Sequence, residues 1–289
     1  MTRTVNCILT HPGGAHKDEF MACWVLMAEH GVPVLRREPV AADMDDPETL
    51  VIDVGGEHDP ERGNFDHHQF PRDAAPLCAL SLVLQDMGLY EDARSFCDWL
   101  EPAEWFDCRG PSTTAGWLGV DRRVVAQLSS PIDLTLVRRF SSQNELHPGD
   151  ILYEVMRYVG EDLLGYLRGL RERLRFIGNH AEFWQIPGRE GPLEVLFMPR
   201  TDTMPGEPGF GLPRYIMESG RAQSVVALIY PDRRGPGYGL SRFEDHPAFN
   251  FQKIADCADV HFAHASGFLA KTSASEVKRL RELLEKAVA

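Results

Sequence analysis

The residues best equipped for chemistry lie in one short stretch, where a carboxylate and two imidazoles are consecutive. Asp66, His67 and His68 offer three groups that can bind a metal or move a proton. Desolvating such groups costs free energy, so a cluster of them is retained mostly where a metal or a reaction uses it. A tripeptide alone matches many unrelated sequences, and a polar loop with neighbouring imidazoles is an equally good interpretation. The residue types in the other loops decide between a metal or catalytic site and a plain polar loop.

Further imidazoles and carboxylates stand in loops that follow predicted strands. The whole set is His11, His16, Asp18, Asp53, Asp66, His67, His68 and Asp107. This mixture suits Mn²⁺, and also Zn²⁺, Fe²⁺ or Co²⁺, better than a structural zinc bound by sulfur. A carboxylate at the end of a central strand can bridge two ions, which activate a water and neutralise charge on a phosphoryl group. The sequence therefore predicts two divalent metal ions, with Mn²⁺ as the first choice.

The elements that must position these groups alternate between strand and helix. Residues 5–10, 32–36 and 49–56 read as strands, and apolar residues at helical spacing predict a helix from Asp18 to a stop at Gly31. The apolar run at 49–56 suits a strand buried on both faces, which is typical of a parallel sheet. We therefore expect an open α/β sheet with ligands bound beyond the carboxyl ends of its strands.

The periodicity changes in the second half of the chain. A long helix is predicted over 151–177, and later segments read as strands separated by Gly- and Pro-rich turns. These later strands are 182–186, 193–198, 224–230, 238–243 and a last strand with its loop at 260–268, followed by a final helix at 275–287. Residues 41–48 and 107–111 are predicted to be loops. We predict an α/β protein with a mainly parallel, metal-binding domain at 1–180 and a smaller α+β domain at 181–289.

Composition limits the partners and the compartment. The chain has 289 residues, 43% of them hydrophobic and 25% charged, which is typical of a soluble globular protein. A formal charge of −13 argues against binding long duplex DNA or an anionic membrane. The six cysteines lack C-x-x-C spacing and favour reduced core thiols. With no apolar signal region and no membrane-length apolar stretch, we expect a cytoplasmic protein, and a homo-oligomeric state stays open.

Four motifs carry a resemblance to a known family. They are His11-x4-His16-x-Asp18-Glu19, Val51-Ile52-Asp53-Val54-Gly55-Gly56 with Asp59-Pro60-Glu61-Arg62, Asp66-His67-His68-Gln69, and Phe262-Ala263-His264-Ala265-Ser266-Gly267-Phe268. Together they resemble the Myg (melanocyte-proliferating-gene) family of metal-dependent hydrolases, within the DHH phosphoesterase superfamily of RecJ nucleases and family II inorganic pyrophosphatases. Between about residues 110 and 235 the resemblance is limited to a helical stretch in the expected place.

The resemblance implies a role for each matching residue in the first domain. His11 and His16 would hold one metal ion and Asp18 the second, with Asp53 bridging both. His67 would bind the second ion. Asp107 would complete the set, in competition with Asp98, because Myg relatives have Asp-Asn-Gly where this chain has Asp107-Cys108-Arg109-Gly110. His68 would face the substrate and stabilise charge or protonate the leaving group, and Asp66 would orient an imidazole.

In the second domain the resemblance implies contacts with substrate phosphate. His264, Ser266 and Gly267 match the terminal motif of that domain, and Arg242 and Lys271 are further cationic candidates, although such residues are more often plain surface charges. Tyr238, Phe243 and Phe268 are aromatic residues that could stack bases, although aromatic residues in strands are usually core.

The leading hypothesis is a two-metal phosphoesterase. The resemblance implies a phosphodiester substrate, such as a short single-stranded RNA or an oligonucleotide that is degraded from an end. A charge of −13 favours a short substrate over a long duplex. One alternative is a small-molecule phosphohydrolase that acts on pyrophosphate, a phosphomonoester or a dinucleotide. Another is a non-catalytic metal-binding protein.

Overall fold

The chain forms two compact units, each organised around its own six-stranded sheet. The computed structural model describes residues 3–127, 130–202 and 207–289. The units are Met1–Gly169 (unit 1) and Leu170–Ala289 (unit 2). The predicted α/β class is confirmed, with a mainly parallel sheet in the first unit and a mainly antiparallel sheet in the second.

Unit 1 is an open sheet with helices packed around it. Its strands are β1 (Cys7–Thr10), β2 (Val34–Arg36), β3 (Thr49–Ile52), β4 (His58–Asp59), β5 (Asn64–Phe65) and β6 (Glu145–Leu146). Its helices are α1 (Lys17–His30), α2 (Ala41–Met44), α3 (Ala79–Asp86), α4 (Tyr90–Phe96), α5 (Leu100–Leu118), α6 (Arg122–Gln127), α7 (Pro131–Ser141) and the first part of α8 (Ile151–His180). The strand order is β4-β5-β3-β1-β2-β6, and only the outer pairs, β4–β5 and β2–β6, are antiparallel.

The central strands of this sheet are buried on both faces, as their apolar runs predict. Ile8, Leu9, Val51 and Ile52 are fully buried, which is why alternation is absent from these segments. Helix α1 packs against this sheet and ends where Gly31 adopts a left-handed conformation (φ 68°) and donates its N–H to the Met27 carbonyl. The two predictions for this region, strand and helix, are confirmed.

A close backbone approach sets the distance between α1 and α8 within unit 1. A Cβ atom placed on Gly160 of α8 would lie 2.0 Å from the carbonyl oxygen of Trp24 on α1. Because the neighbour is backbone, no side-chain rotation can relieve that overlap. Glycine is therefore required where the two helices cross.

Two segments that the sequence predicts as loops are at least partly helical. Residues 41–44 form α2, whose Asp43 carboxylate accepts the Val40 N–H and a paired contact from Arg37. Residues 107–111 lie inside α5, where Gly110 (φ 75°, ψ 166°) interrupts the helix and Pro111 begins its second segment. Proline suits a first helical position, so the Gly-Pro pair bends this helix instead of ending it.

Unit 2 is a sheet covered on both faces by short helices. Its strands are β7 (Glu182–Pro187), β8 (Pro192–Phe197), β9 (Val225–Pro231), β10 (Tyr238–Arg242), β11 (Val260–Ala263) and β12 (Leu269–Thr272). Its helical elements are the end of α8, α9 (Leu212–Glu218), α10 (Val277–Ala287) and a 3₁₀ turn at Phe251–Ile254. The order is β11-β12-β10-β9-β8-β7, with only β8–β9 parallel. The sequence missed β12, which forms a hairpin with β11.

The core of unit 2 lies on the two faces of this sheet. Leu280, Leu283 and Leu284 of α10 pack with the 3₁₀ turn on one face. Ile177 of α8 and Leu212 and Ile216 of α9 pack on the other. All six cysteines, each within the described ranges, are free thiols. Among the described residues, no helix combines the length and the apolarity that crossing a lipid bilayer requires.

Candidate metal centre

Three neighbouring parallel strands of unit 1 end at the same level of the sheet. Thr10 of β1 pairs with Ile52 of β3, and Ile52 pairs with Phe65 of β5. The next residue after each strand is therefore brought to one edge, which places His11, Asp53 and Asp66 side by side, as predicted from the parallel sheet. Asp53 follows the middle strand, so it stands between the loops that carry His11 and His67.

Asp53 presents its two carboxylate oxygens to different imidazoles. His67 Nε2 lies 3.0 Å from Oδ1, and His68 Nδ1 lies 3.6 Å from the same oxygen. On the other side, His11 Nε2 lies 3.6 Å and His16 Nδ1 4.0 Å from Oδ2. A carboxylate flanked in this way has the arrangement that a ligand shared between two metal ions needs.

The backbone of Asp53 is as unusual as its surroundings. Its φ angle is 58°, in the left-handed region, where aspartate and asparagine are tolerated better than other non-glycine residues. Its N–H donates to the Phe65 carbonyl at 3.1 Å, which ties the turn after β3 to β5. The turn therefore aims the carboxylate away from the strand axis without breaking the ladder.

The buried polar atoms of this cluster test whether a cation fits. Asp53 is 2% exposed, yet within the described ranges neither of its oxygens accepts a well-aligned hydrogen bond, and His67 Nε2 donates none. Buried polar groups without partners are costly and rare, so such a concentration calls for a ligand. Imidazole and carboxylate donors are the ligands that Mn²⁺, Zn²⁺ and Fe²⁺ accept, and the residues present therefore fit divalent ions.

Four sets of donor atoms lie close enough to hold an ion, each with all atoms within 4.8 Å of one another. The sets are His11, His16, Glu19 and Asp53; Asp53, His67 and His68; His67, Asp107 and Cys108; and His16, Asp18 and Asp107. All six predicted metal ligands appear in them. Asp107 takes part in two sets, whereas the competing Asp98 belongs to none of the sets that the described residues form.

Crowded carboxylates shift the acid–base behaviour of the cluster. Burial raises the pKa of Asp18, and the charge of Asp53 adds to the effect. Burial likewise raises the pKa of Asp107 to about 8, with the charge of Asp18 acting in the same direction. Each of these shifts disfavours the ionised form in the metal-free protein. A bound cation would reverse them, because it offsets the repulsion between the carboxylates.

The pKa values of two imidazoles are also raised, which for a base favours the charged form. Contact with Asp53, reinforced by Glu19, raises the pKa of His11 to about 10. For His67, burial lowers the pKa, but the neighbouring Asp53, with Cys108 and Asp107, raises it to about 11. In the metal-free protein, protons therefore occupy the nitrogens that a metal ion would take.

Glu19 is a member of the cluster that the sequence analysis passed over. Its side chain is fully buried, forms an ion pair with His11, and lies 3.2 Å from a guanidinium nitrogen of Arg36. Arg36 is itself buried, with its guanidinium 4.5 Å from the centre of the Phe140 ring. The signal was present, because Glu19 lies next to Asp18 in the motif, but an acid in a first helical turn also has a purely helical explanation.

Cys108 is the second residue that sequence reasoning missed. Its Sγ lies 3.8 Å from Nδ1 of His67, the ring nitrogen that does not face Asp53. A histidine that binds metal through one nitrogen is usually oriented by a partner on the other, and here that partner is a thiol. Interpreting every cysteine as an inert core residue concealed this contact.

His68 and Asp66 form a separate hydrogen-bonded pair at the edge of the cluster. His68 Nδ1 lies 2.7 Å from Asp66 Oδ1, and the buried Asp66 also accepts the N–H groups of His68 (3.0 Å) and Gly56 (2.7 Å). The His68 side chain is 58% exposed. Asp66 therefore fixes the orientation of an imidazole whose Nε2 remains available to a ligand.

The predicted substrate residues of unit 2 gather around the β11–β12 turn. The Ser266 N–H donates to His264 Nδ1 at 3.1 Å, and Gly267 has a φ of 71°. A Cβ atom on Gly267 would lie 2.0 Å from Asn250 Oδ1, so this turn requires glycine. The Arg242 guanidinium donates to the Phe249 carbonyl (2.7 Å) and to Asp245 (2.9 Å).

Two of the three aromatic residues proposed to stack bases are core residues. Tyr238 and Phe243 are each only 4% exposed. They stand in or beside strand β10 and pack into the two apolar clusters of unit 2. Of the three, only Phe268 is accessible. Its side chain is 38% exposed, and its ring is tilted against that of His264.

Residues 7–78 match a family model. That model describes an uncharacterised protein family (UPF0160) and bears the name MYG1 exonuclease. A protein named MYG1 exonuclease from Bos taurus is 43% identical over 65 residues, which are 21% of this chain and 16% of that protein. The Rattus norvegicus protein of the same name is 40% identical over 76 residues (24% and 19%), and the Homo sapiens one is 43% identical over 65 residues (21% and 16%).

The similarity is confined to the segment that builds the metal centre. The aligned stretches span less than a fifth of the length of each curated relative. The matched residues 7–78 nevertheless include every member of the cluster except Asp107 and Cys108. The ends of β1, β3 and β5 thus lie within the segment that matches the family model.

Proposed function

We propose that this chain is a metal-dependent phosphoesterase of the DHH type that hydrolyses phosphodiester bonds, acting as a nuclease on short single-stranded RNA or oligonucleotides. The observation that carries the proposal is the buried Asp53, whose two unpartnered oxygens face different imidazoles. The similarity of residues 7–78 to proteins named MYG1 exonuclease supports the choice of substrate class.

Two divalent ions, with Mn²⁺ as the first choice, would lie on either side of Asp53. His11 and His16, with Glu19, would hold one ion, and Asp18, His67 and Asp107 would hold the other; each of these residues belongs to at least one of the sets of neighbouring donor atoms. When bound, the ions lower the pKa of a water and offset the charge that develops on the phosphoryl group. Arg36 donates a hydrogen bond to Glu19 and would thereby hold this carboxylate in position.

His68 is proposed as the residue that acts directly on the substrate. Asp66 holds the His68 ring through Nδ1, so Nε2 is the atom that can donate a proton to the leaving oxygen or stabilise its charge. The exposure of this ring, against the burial of His67, separates a substrate contact from a metal ligand.

Unit 2 is proposed to contact substrate phosphate through the β11–β12 turn. His264 and Ser266 supply polar groups there, and Gly267 permits the turn. Arg242 supports the same turn, because its backbone N–H donates to the Phe268 carbonyl at 2.9 Å. We further propose a reducing, cytoplasmic setting, since all six thiols are free.

A substrate panel tests the proposal. Metal-free protein, with and without Mn²⁺, is incubated with a five-nucleotide single-stranded RNA, duplex DNA, pyrophosphate and a phosphomonoester. We expect RNA to be hydrolysed only with metal. His68→Ala should bind the same amount of Mn²⁺ and lose turnover by about 10²- to 10⁴-fold.

Other outcomes select the alternatives. Hydrolysis of pyrophosphate or of the monoester, without hydrolysis of RNA, would identify a small-molecule phosphohydrolase. Bound Mn²⁺ with no hydrolysis of any substrate would identify a non-catalytic metal-binding protein. Unchanged RNA turnover in His68→Ala would remove that residue from the mechanism.

A further inference from the structure

Unit 2 contains a groove that is lined by none of the residues to which the proposed function assigns a role. Its volume is about 1050 Å³, and it is lined by strands β9, β10, β11 and β12 and the segment before α9. Sites for small ligands have volumes of roughly 300–1,000 Å³, so this groove has room for a nucleotide and part of its neighbour. His264, Ser266, Gly267 and Arg242 do not line it.

One row of paired residues forms the floor of this groove. Tyr230 of β9 pairs with Gly239 of β10, and Gly239 pairs with Lys271 of β12. Lys271 in turn pairs with Phe262 of β11. Directly opposed residues of antiparallel strands present their side chains on the same face, so the row places an aromatic ring at each end and a cation between.

The glycine in this row creates a flat surface. A Cβ atom on Gly239 would lie 3.0 Å from the Tyr230 ring, and one on Gly209 would lie 3.4 Å from it. The Tyr230 ring therefore lies against backbone on two sides. At the other end of the row, the Phe262 side chain is 43% exposed, which is unusual for an aromatic residue in a paired strand.

A buried carboxylate stands beside the aromatic row. Asp232 is 7% exposed, and its Oδ1 accepts hydrogen bonds from Lys271 Nζ (3.0 Å) and from the Arg234 N–H (3.1 Å). Its Oδ2 is 3.9 Å from His261 Nε2, which is too far for a hydrogen bond. Lys271 and the Arg234 backbone thus orient a carboxylate that keeps one oxygen for a donor from a ligand.

Cations line the same groove. Arg233 and Arg234 follow Asp232 at its edge, and Lys271 stands within it; Glu207 pairs with Arg233 and Asp232 pairs with Lys271, so the cations exceed the carboxylates by one. This local concentration contrasts with a chain whose formal charge is −13. The combination of a stacking ring, a hydrogen-bond acceptor and several cations matches the base, the ribose hydroxyls and the phosphate of a nucleotide.

We propose that this groove binds a nucleotide of single-stranded RNA. The base stacks on Phe262, a ribose hydroxyl donates to Asp232 Oδ2, and Lys271 and Arg234 attract the phosphate. The choice of RNA as the occupant rests on the proposed function, whereas the site is built from residues to which that function assigns no role.

Binding without catalysis tests the site. The full chain, kept in EDTA so that no hydrolysis occurs, is titrated into fluorescein-labelled pentaadenylate RNA and the fluorescence anisotropy is measured. We expect Phe262→Ala to weaken binding by about fivefold or more, because a stacked base is lost. Asp232→Asn should reduce the preference for RNA over the DNA analogue. Tyr158→Ala, which removes an aromatic side chain that is 57% exposed in unit 1, is the matched control.

The alternatives are outcomes of the same titration. Equal affinities of Phe262→Ala and the parent would overturn the proposal, as would a loss seen in Phe268→Ala alone. Displacement of the RNA by an equal concentration of pentaglutamate would assign the groove to an acidic peptide. If the parent binds no RNA in EDTA yet hydrolyses it with Mn²⁺, the groove proposal fails and the proposed function stands. If the parent binds RNA in EDTA but does not hydrolyse it with Mn²⁺, the groove proposal stands and the proposed function fails.

Discussion

Unit 1 contains two buried carboxylates that the fold treats in opposite ways. Glu104 is fully buried, and each of its oxygens is used: Oε1 accepts from Ser81 (2.7 Å) and Tyr90 (2.8 Å), and Oε2 accepts from Arg94 (2.8 Å). Asp53 is almost as buried, but no described residue gives either of its oxygens a well-aligned hydrogen bond.

The difference between the two sites separates a carboxylate that supports the fold from one that is held ready for a ligand. Donors of the protein surround Glu104, so its charge is balanced without any other molecule. Asp53 is surrounded by other acids and by imidazoles, which are ligands themselves. Burial alone does not distinguish the two cases, whereas the identity of the neighbours does.

The largest effect is expected from Asp53→Asn. Asparagine tolerates the left-handed backbone of this position, so the fold should persist while the shared charge is lost. We expect metal-dependent hydrolysis to fall by about 10³-fold or more, because the two proposed metal ions would lose the ligand that they share. Calorimetric titration with Mn²⁺ should show lost binding, and circular dichroism in EDTA should show that the variant is folded. Mn²⁺ binding equal to that of the parent would contradict the assignment.

The corresponding test of the carboxylate that supports the fold is Glu104→Ala. Removing this acceptor leaves the hydroxyls of Ser81 and Tyr90 without their acceptor and takes from the Arg94 guanidinium its buried carboxylate, so we expect a loss of about 2–3 kcal/mol in unfolding free energy. Urea denaturation in EDTA measures it. Glu101→Ala is the control, because Glu101 contacts the same Arg94 from the surface (3.2 Å) and should contribute about 0.5 kcal/mol or less. A large fall in Mn²⁺ affinity in Glu104→Ala would erase the distinction between the two carboxylates.

A smaller effect is expected at Cys108. Without its thiol, Nδ1 of His67 loses the contact with Cys108, and the ring becomes less well oriented. We expect Cys108→Ala to weaken Mn²⁺ binding by about tenfold, and Cys108→Ser to recover part of the loss. Cys257→Ala, at a half-buried thiol in unit 2, should leave the affinity unchanged. Equal affinities in all three variants would limit Cys108 to packing.

The last prediction concerns the pH dependence of Mn²⁺ binding. The pKa of His11 is about 10 and that of His67 about 11, so both rings are protonated at pH 7 in the metal-free protein. A metal ion binds only the neutral imidazole, and binding must therefore release a proton from each ring. Affinity for Mn²⁺ should rise with pH and level off above about pH 10–11. Calorimetry in buffers of different ionisation enthalpy measures the release, and a heat independent of the buffer would refute it.

Much of the metal centre was predictable because parallel strands bring sequence-distant residues to one edge. His11 and Asp53 each lie at the end of a short apolar run, and that pattern indicated convergence, whereas His67 follows the two-residue strand β5, whose sequence carries no such run. Asp107 was found for a different reason, since the predicted loop at 107–111 is part of α5 and only the residue type and the family pattern pointed to it.

The remaining features depend on contacts that periodicity does not encode. Glu19 has a sufficient local explanation at a helix start, so nothing in its neighbours along the chain reveals the contact with His11. Cys108 is brought to His67 by a helix whose bend at Gly110 looked like an end. Strand β12 was missed because its pairing with β10 is long-range, and its four residues carry no alternation strong enough to stand out.

Gly160 has no functional group, yet the arrangement of the ligands depends on it. Helix α1 carries Asp18 and Glu19 in its first turn, and its distance from α8 is set where Gly160 meets the Trp24 carbonyl. A single added methyl group there would push α1 outward and, with it, two carboxylates that lie at the far end of the same helix. The proposed metal binding can therefore be lost through a substitution that removes no ligand, at a position that a search for reactive residues would never select.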